Sequence, residues 1–310
     1  MYEITITRHN ELIDPIFHAW GWEIPVYLFL GGLVAGMMII SGYFLFSGKY
    51  KENNCSCYYL PRVSFALLSL GMLALFLDLE HKLYVWRLYT TFEITSPMSW
   101  GSWILILVYP VLISNMLMRI PEKIGLKYSF LKTLSEKLNN RPMLVKNIGV
   151  LNMLLGGLLG IYTGILLSSL GARPLWNTSI LWLLFLMSGL SGAAAFVHMI
   201  AKNVTERELL AKADNGFLII ELFVLMLMII GLLSSSQVAI DSVALILNGP
   251  FAAVFWVFVI GLGIIIPLII QLLAVNHKIH HTAVAPIMVI IGGLILRFVI
   301  VAAGQYSHWF

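Results

Sequence analysis

Four side chains that sit in or beside long apolar runs carry the chemistry open to this protein. Asp78 closes the run 60–79, Tyr162 lies late in 145–169, Glu221 falls inside 214–236 and Arg297 inside 283–305. A carboxylate in such a place relays a proton or holds an arginine, and a phenol donates a hydrogen bond to a polar acceptor. Each also has an ordinary reading. Asp78 can belong to a structural ion pair, and Tyr162 can be an interface tyrosine. Glu23 can be a headgroup-level charge, and Glu221 a buried protonated residue that holds helices together. Arg297 is the hardest to set aside, because a charge inside a membrane is costly unless it is paired or snorkels to the surface.

The apolar runs themselves are the elements that must position these groups. The 310 residues are 60% hydrophobic and only 11% charged, with mean hydropathy +0.91, whereas soluble domains carry roughly 25% charged residues. The bilayer is therefore the solvent. Runs long enough to cross it fall near 25–47, 60–79, 101–119, 145–169, 178–200, 214–236, 250–273 and 283–305. In lipid, backbone groups are satisfied only in helices or closed barrels, and these runs are too long for barrel strands. The expectation is an all-α integral membrane protein, a bundle of eight transmembrane helices forming one polytopic domain over 1–310. Residues 1–24 read as a tail on one side, and 120–144 as an amphipathic loop on the other.

Lysine and arginine choose the sides. The first, third, fifth and seventh loops hold fourteen of the nineteen, while the N-terminal tail and the even loops hold four: Arg8, Lys82, Arg87 and Arg173. The positive-inside rule then places the odd loops in the cytoplasm and both termini outside. The third loop, "IPEKIGLKYSFLKTLSEKLNNRP", reads as a surface helix against anionic lipid. The net charge of +4 gives no hint of nucleic acid, since the charges are spent in particular loops. "GGLVAG" (31–36), "GGLLG" (156–160) and "SGLSGAAA" (188–195) serve close helix contact rather than phosphate binding.

Redox cofactors are constrained by the same count. Haem between helices needs axial histidines within the spans. Of the eight histidines only His198 stands clearly at a span boundary, and His277, His280 and His281 cluster in a loop. The two cysteines, Cys55 and Cys57, read as surface thiols and cannot ligate an iron–sulfur cluster alone. No metal site is expected.

With this topology, Asp78, Glu80, His81, Arg87, Glu93, Tyr162, Arg173 and Arg297 gather toward the outer side, with His18 and Glu23 at the start of the first span. "TFEITSPMSWGSW" (91–103) leads into the third span there, with Ser99 as its expected cap and Trp100 and Trp103 at the interface. These stretches resemble a known family. "DLEHKLYVWRLYTTFEITSPMSWGSW" (78–103) and "YTGILLSSLGARPLWN" (162–177) carry the resemblance, and "YLFLGGLVAG" (27–36) and "GGLILRFVIVAAG" (292–304) add weaker matches. Together they are similar to the polysulfide reductase membrane-subunit family, which includes the membrane subunit of formate-dependent nitrite reduction.

The resemblance implies a haem-free subunit of a respiratory oxidoreductase complex in a bacterial or archaeal plasma membrane. It implies menaquinone or ubiquinone bound near the outer face. It also implies electron exchange with an extracytoplasmic iron–sulfur partner, in turn joined to a molybdopterin catalytic subunit. Asp78 matches the family's acidic residue, Tyr162 its Tyr-Thr-Gly tyrosine, and Arg173 an arginine before Pro-Leu-Trp. Arg297 and His18 are further expected contributors to the site. Where the family often has Asp-Leu-Gly-Arg-Pro, this sequence has Glu80, His81 and Lys82 after Asp-Leu. A proton route toward the cytoplasm is expected through Glu221, ending with Asn215, Asp214 and His198. Two other readings fit the residues alone: an ion-coupled secondary transporter, against which the lack of an obvious inverted repeat argues, and a purely structural membrane anchor.

Overall fold

The computed structural model describes residues 20–49, 55–118, 129–276 and 282–309. His18 and the histidine cluster 277–281 fall outside them. The helices, in chain order, are α1 Glu23–Phe46, α2 Leu60–Asp78, α3 Trp86–Thr90, α4 Pro97–Met118, α5 Ser129–Asn139 and α6 Pro142–Ser168. They continue with α7 Leu181–Ile200, α8 Val204–Leu233, α9 Gln237–Leu247, α10 Val254–Val275 and α11 Val284–Tyr306. Eight of them (all but α3, α5 and α9) are long and apolar enough to cross a membrane, and the described residues contain no strand.

The spans fall where apolar runs of bilayer length predict them, with instructive exceptions. α4 begins at Pro97 rather than near 101. Proline at a helix start has no N–H to orphan and a pre-set φ, and Ser96 O accepts from the amides of Ser99 (3.0 Å) and Trp100 (3.2 Å). Ser99 is thus not the cap but a residue of the first turn. Its Oγ accepts from Glu93 N (3.0 Å) and donates to Thr91 O (3.3 Å), while Trp100 Nε1 donates to Ile94 O (2.8 Å). The polar detail of 91–103 folds the preceding loop onto the head of the helix.

α8 departs further. It starts at Val204, ten residues before the expected edge, behind Asn203, whose Oδ1 accepts from Thr205 N at 3.2 Å. Glu206 in the first turn favours the helix dipole. At 1.5 Å per residue its 30 residues span roughly 45 Å, beyond the roughly 30 Å hydrocarbon core. Its charged opening turns therefore extend past the lipid. Asp214 and Asn215, expected at the inner entrance of this span, instead lie well inside the helix and are buried.

α9, between the sixth and seventh spans, was not expected, and the first half of α10, Val254–Ile265, is wound as a π-helix. Part of the third loop is helical, as α5; its residues 119–128 lie outside the described residues. Ser135 Oγ (3.2 Å) and Asn139 Nδ2 (2.8 Å) both donate to Met118 O, satisfying a carbonyl left open at the end of α4. Cys55, read as a surface thiol, is buried and disulfide-bonded.

α1 is the central helix and packs against α2, α6, α7 and α11. Its approach to α7 is backbone on backbone. A Cβ on Gly36 would lie 2.6 Å from Gly189 O, and one on Gly189 would lie 2.6 Å from Gly32 O. Without a strong hydrophobic drive between helices in lipid, such close contact is a main source of cohesion. At one end Trp20 and Gln305 exchange two 3.0 Å hydrogen bonds. The start of α1 and the end of α11 therefore share one face of the bundle, called here the terminal face.

Gly189→Val should wedge α7 from α1 and lower stability by about 1–3 kcal/mol, the usual scale of overpacking. Gly157→Ala should be tolerated, because nothing lies within 4 Å of its would-be Cβ. Thermal unfolding in detergent checks both, and equal loss in the two variants contradicts the packing account.

Candidate functional site

Two groups of polar side chains stand out within the bundle. The first lies near the terminal face. Tyr27, in the second turn of α1, is 2% exposed, and Tyr162, near the end of α6, is 6% exposed. The two phenols face one another, with Tyr89 of α3 within electrostatic reach. Tyr27 Oη is buried and makes no hydrogen bond of good geometry. Burial, with Tyr109 nearby, pushes the Tyr89 phenol above its usual value, so it stays protonated and remains a donor at neutral pH. Asp78, half-buried at the end of α2, has Glu23 as its electrostatic neighbour. Tyr162 fits only because Gly101 has no side chain: a Cβ there would overlap the phenol ring.

The second group runs along the interior. Arg297 of α11 is 1% exposed. Its Nη2 donates to Phe185 O at 2.9 Å, and its Cζ lies 4.1 Å from the Phe185 ring centroid. Glu221 of α8 supplies the opposing charge, with Ser188 of α7 beside it. Arg297 Nε and Nη1 have no protein acceptor. Two turns along α8, Asp214 accepts from Ser191 Oγ (2.7 Å) and from Gln271 Nε2 of α10 (2.7 Å). Gln271 Oε1 and Asn215 Oδ1 have no protein donor. A buried charge of this kind is costly unless hydrogen bonds complete its surroundings. The carbonyl of Phe185 and the ring face supply part of that completion.

Arg173 lies elsewhere. Its Nη1 donates to Ser307 O (2.9 Å) and lies 3.2 Å from His308 Nδ1, so it ties the loop before α7 to the C-terminal segment. Trp176 follows it into the bundle, stacked on Trp20 with centroids 5.3 Å apart and donating to Ile300 O at 2.8 Å. Among the described residues no three histidine, cysteine, aspartate or glutamate side chains are grouped to hold a metal ion.

The family model described as "Polysulphide reductase, NrfD" matches residues 7–307. The protein belongs to that family. It is 30% identical over 326 residues to the C subunit of the polysulfide reductase of Wolinella succinogenes, with 97% of each sequence covered. It is 31% identical over 312 residues to protein NrfD of Escherichia coli, with 93% of this sequence and 95% of the relative covered. A protein NrfD homolog of Haemophilus influenzae is 28% identical over 309 residues, with the same coverage.

Within this NrfD-family protein, the residues picked from sequence divide. Asp78 and Tyr162 share the terminal-face end of the bundle, whereas Arg297 and Glu221 lie deeper inside within electrostatic reach of one another, and Arg173 bonds the C-terminal segment. The structure thus gives neither arginine to Asp78; the charged neighbour it gives is Glu23. Tyr27 was missed, although it opens the quoted stretch "YLFLGGLVAG" one helical turn after Glu23. Ser188, Ser191 and Gln271 were missed as well. Serines three apart on α7 and acids seven apart on α8 do share helix faces, but a polar glutamine amid the apolar α10 gives no sign of its partner.

Arg297→Met should destabilise the protein by about 3–5 kcal/mol by leaving Glu221 buried without its counter-charge. The double variant Arg297→Met/Glu221→Leu should recover much of that loss. Unfolding midpoints measured around the double-mutant cycle decide it, and strictly additive losses would mean that the two side chains do not act as a pair.

Proposed function

We propose that this protein is the haem-free quinone- or quinol-binding membrane subunit of a respiratory oxidoreductase complex. It exchanges electrons between menaquinone or ubiquinone and an extracytoplasmic iron–sulfur subunit joined to a molybdopterin catalytic subunit. The observation that carries the reading is the buried Tyr27–Tyr162 pair, with the half-buried Asp78 toward the same end of the bundle, in a member of the NrfD family. The relative that is named as one lettered component of a polysulfide reductase supports a place in a multi-subunit enzyme.

The residues present fit a quinone headgroup. Tyr27 Oη, buried without a good hydrogen bond, and Tyr162 Oη are donors suited to a carbonyl oxygen, with Tyr89 a third donor nearby. A bound quinone supplies the two-electron, two-proton redox chemistry; the protein binds, orients and manages protons. Tyr162 and Tyr27 orient the carbonyl by hydrogen bonding. Asp78 exchanges protons with water at the terminal face. The apolar flanks of the helices accept an isoprenoid tail.

The fourteen-to-four bias of loop lysines and arginines supports a terminal face outside the cell, with the lysine-rich loops in the cytoplasm. On this reading Glu221 relays protons between the quinone region and the inner half of the bundle. It is a carboxylate held in the interior beside an arginine with open donors, where water between them completes a path.

Asp78→Asn and Tyr162→Phe should each cut quinone-linked turnover on the order of a hundredfold, the scale of a lost proton-transfer group, with membrane abundance and assembly unchanged. A structure with bound quinone touching neither residue rejects the assignment. In sealed vesicles with the lysine-rich face inside, Glu221→Gln should abolish proton movement across the membrane, and in intact cells a cysteine placed at Phe310 should be labelled from outside. Equal charge transfer per quinone in wild type and variant removes Glu221 from the route, and labelling only from within reverses the topology.

A further inference from the structure

A cavity of about 160 Å³ opens at the lysine-rich face, lined by His198, Met199, Arg207, Thr282, Ala283 and Pro286. The elements that wall it, the end of α7 and the beginnings of α8 and α11, are those that carry Ser191, Asp214 and Arg297 deeper in the bundle. His198 follows Ser191 by seven residues on α7, two turns, so both lie on one face of the helix. That separation is roughly 10 Å along the axis. Between the two levels the facing positions are Ala194 and Ala195 on α7 and Ala211, one turn before Asp214, on α8, all fully buried. The side chains between the cavity and Asp214 on these two faces are thus small. At the inner end of that interval stands a histidine only 4% exposed, yet on the cavity wall. At the outer end, Asn215 Oδ1 and Gln271 Oε1 are buried acceptors with no protein donor, positions that ordered water satisfies.

We propose that this cavity is the aqueous mouth of the proton route and that His198 passes protons between it and Asp214. The proposal rests on the reading of Glu221 as a relay. Imidazole is the side chain that takes up and gives up a proton near neutral pH. One ring nitrogen accepts a proton from cavity water while the other releases its own inward, through water, to the Asp214 carboxylate. The ring ends neutral as the other tautomer and resets by rotation or by the reverse transfers. The charged group facing the histidine across the cavity is Arg207 of α8, held by its Nη2 bond to Ala201 O (2.8 Å). The segment leading into α11 contributes the neutral Thr282, and the nearest charge following His198 in the sequence is Lys202. The guanidinium repels metal cations at the mouth, whereas a proton enters on a neutral ring.

The test uses the assembled complex in vesicles oriented with the lysine-rich face outward, where proton uptake from the bulk is followed during quinone turnover. His198→Ala should slow uptake on the order of a hundredfold, and imidazole added outside should restore it, while Glu221→Gln stays blocked with or without imidazole. As a check independent of the histidine's packing, Thr282→Cys treated with a bulky, impermeant thiol reagent should also slow uptake, relative to wild type treated alike. If His198→Ala and the labelled Thr282→Cys take up protons as wild type does while Glu221→Gln does not, the mouth is elsewhere and the route stands. If wild type takes up none while quinone turns over, the route itself fails and this proposal with it. A slowed His198→Ala that is less heat-stable and unmoved by imidazole, together with a labelled Thr282→Cys of normal rate, marks a packing residue and overturns the proposal.

Discussion

A guanidinium in the middle of a lipid-facing bundle sets the terms for the rest of this structure. Arg297 cannot reach water and cannot stand alone. It is held by the carbonyl and ring of Phe185 on another helix, with Glu221 on a third within electrostatic reach. This fixes the rotational setting of α7, α8 and α11 relative to one another, because a helix turned by one residue swings its polar group through about 100° and breaks the arrangement. Once these three helices are set, Ser188 and Ser191 must face α8, and Asp214 must face Gln271. The polar line is in this sense a geometric consequence of one charge.

The glycine contacts make that arrangement reachable. α1 passes through the centre of the bundle and touches α7 backbone to backbone at Gly32, Gly36 and Gly189. Elsewhere on α1, Tyr27 faces Tyr162 on α6, and Gly101 on α4 leaves the space that the Tyr162 ring fills. Close packing and chemistry thus share residues here. A side chain added at Gly101 would disturb the aromatic pair, as one at Gly36 or Gly189 would disturb helix contact, so missing side chains serve the site as well as the packing.

Much of the fold could be read from the sequence and much of the site could not, for different physical reasons. Hydropathy reports bilayer length directly, so the edges of α1, α2 and α11 were legible to within two residues. It failed at α8, where Glu206, Arg207, Glu208 and Lys212 look like loop but continue the helix beyond the lipid. It also missed α9, too short to cross. For the site, depth placed Asp78 and Tyr162 at one end correctly, since depth follows from position along a span. Depth says nothing about which way a side chain points around the helix. Arg173 and Arg297 lie toward the same end in depth, yet one bonds the C-terminal segment and the other lies in the interior. Tyr27 was hidden by the same gap, because its partner is more than a hundred residues away and no local pattern announces it.

The two polar groups differ in the kind of chemistry each can sustain, and the difference follows from water. Near the terminal face, Asp78 is half-buried and two phenols are at hand, a setting in which hydrogen bonds to a ligand form and protons still exchange with solvent. Deeper in, Glu221, Asp214 and Arg297 are closed off, and low polarity strengthens every interaction among them. A proton added to one of these groups changes the energy of its neighbours far more than the same proton would at Asp78. Ligand binding is therefore best placed at the wet end, where groups can rearrange at small cost. Coupling is best placed at the dry end, where the charge on Glu221 determines whether Arg297 is balanced. On the reading of this protein as a quinone subunit, reduction or oxidation near Tyr162 changes the local demand for protons. The interior pair is where that demand would be felt as a change in helix cohesion or in proton affinity. On that reading, a solvated end suited to binding and a desolvated interior suited to coupling are kept apart within one bundle, because the two tasks need opposite amounts of water.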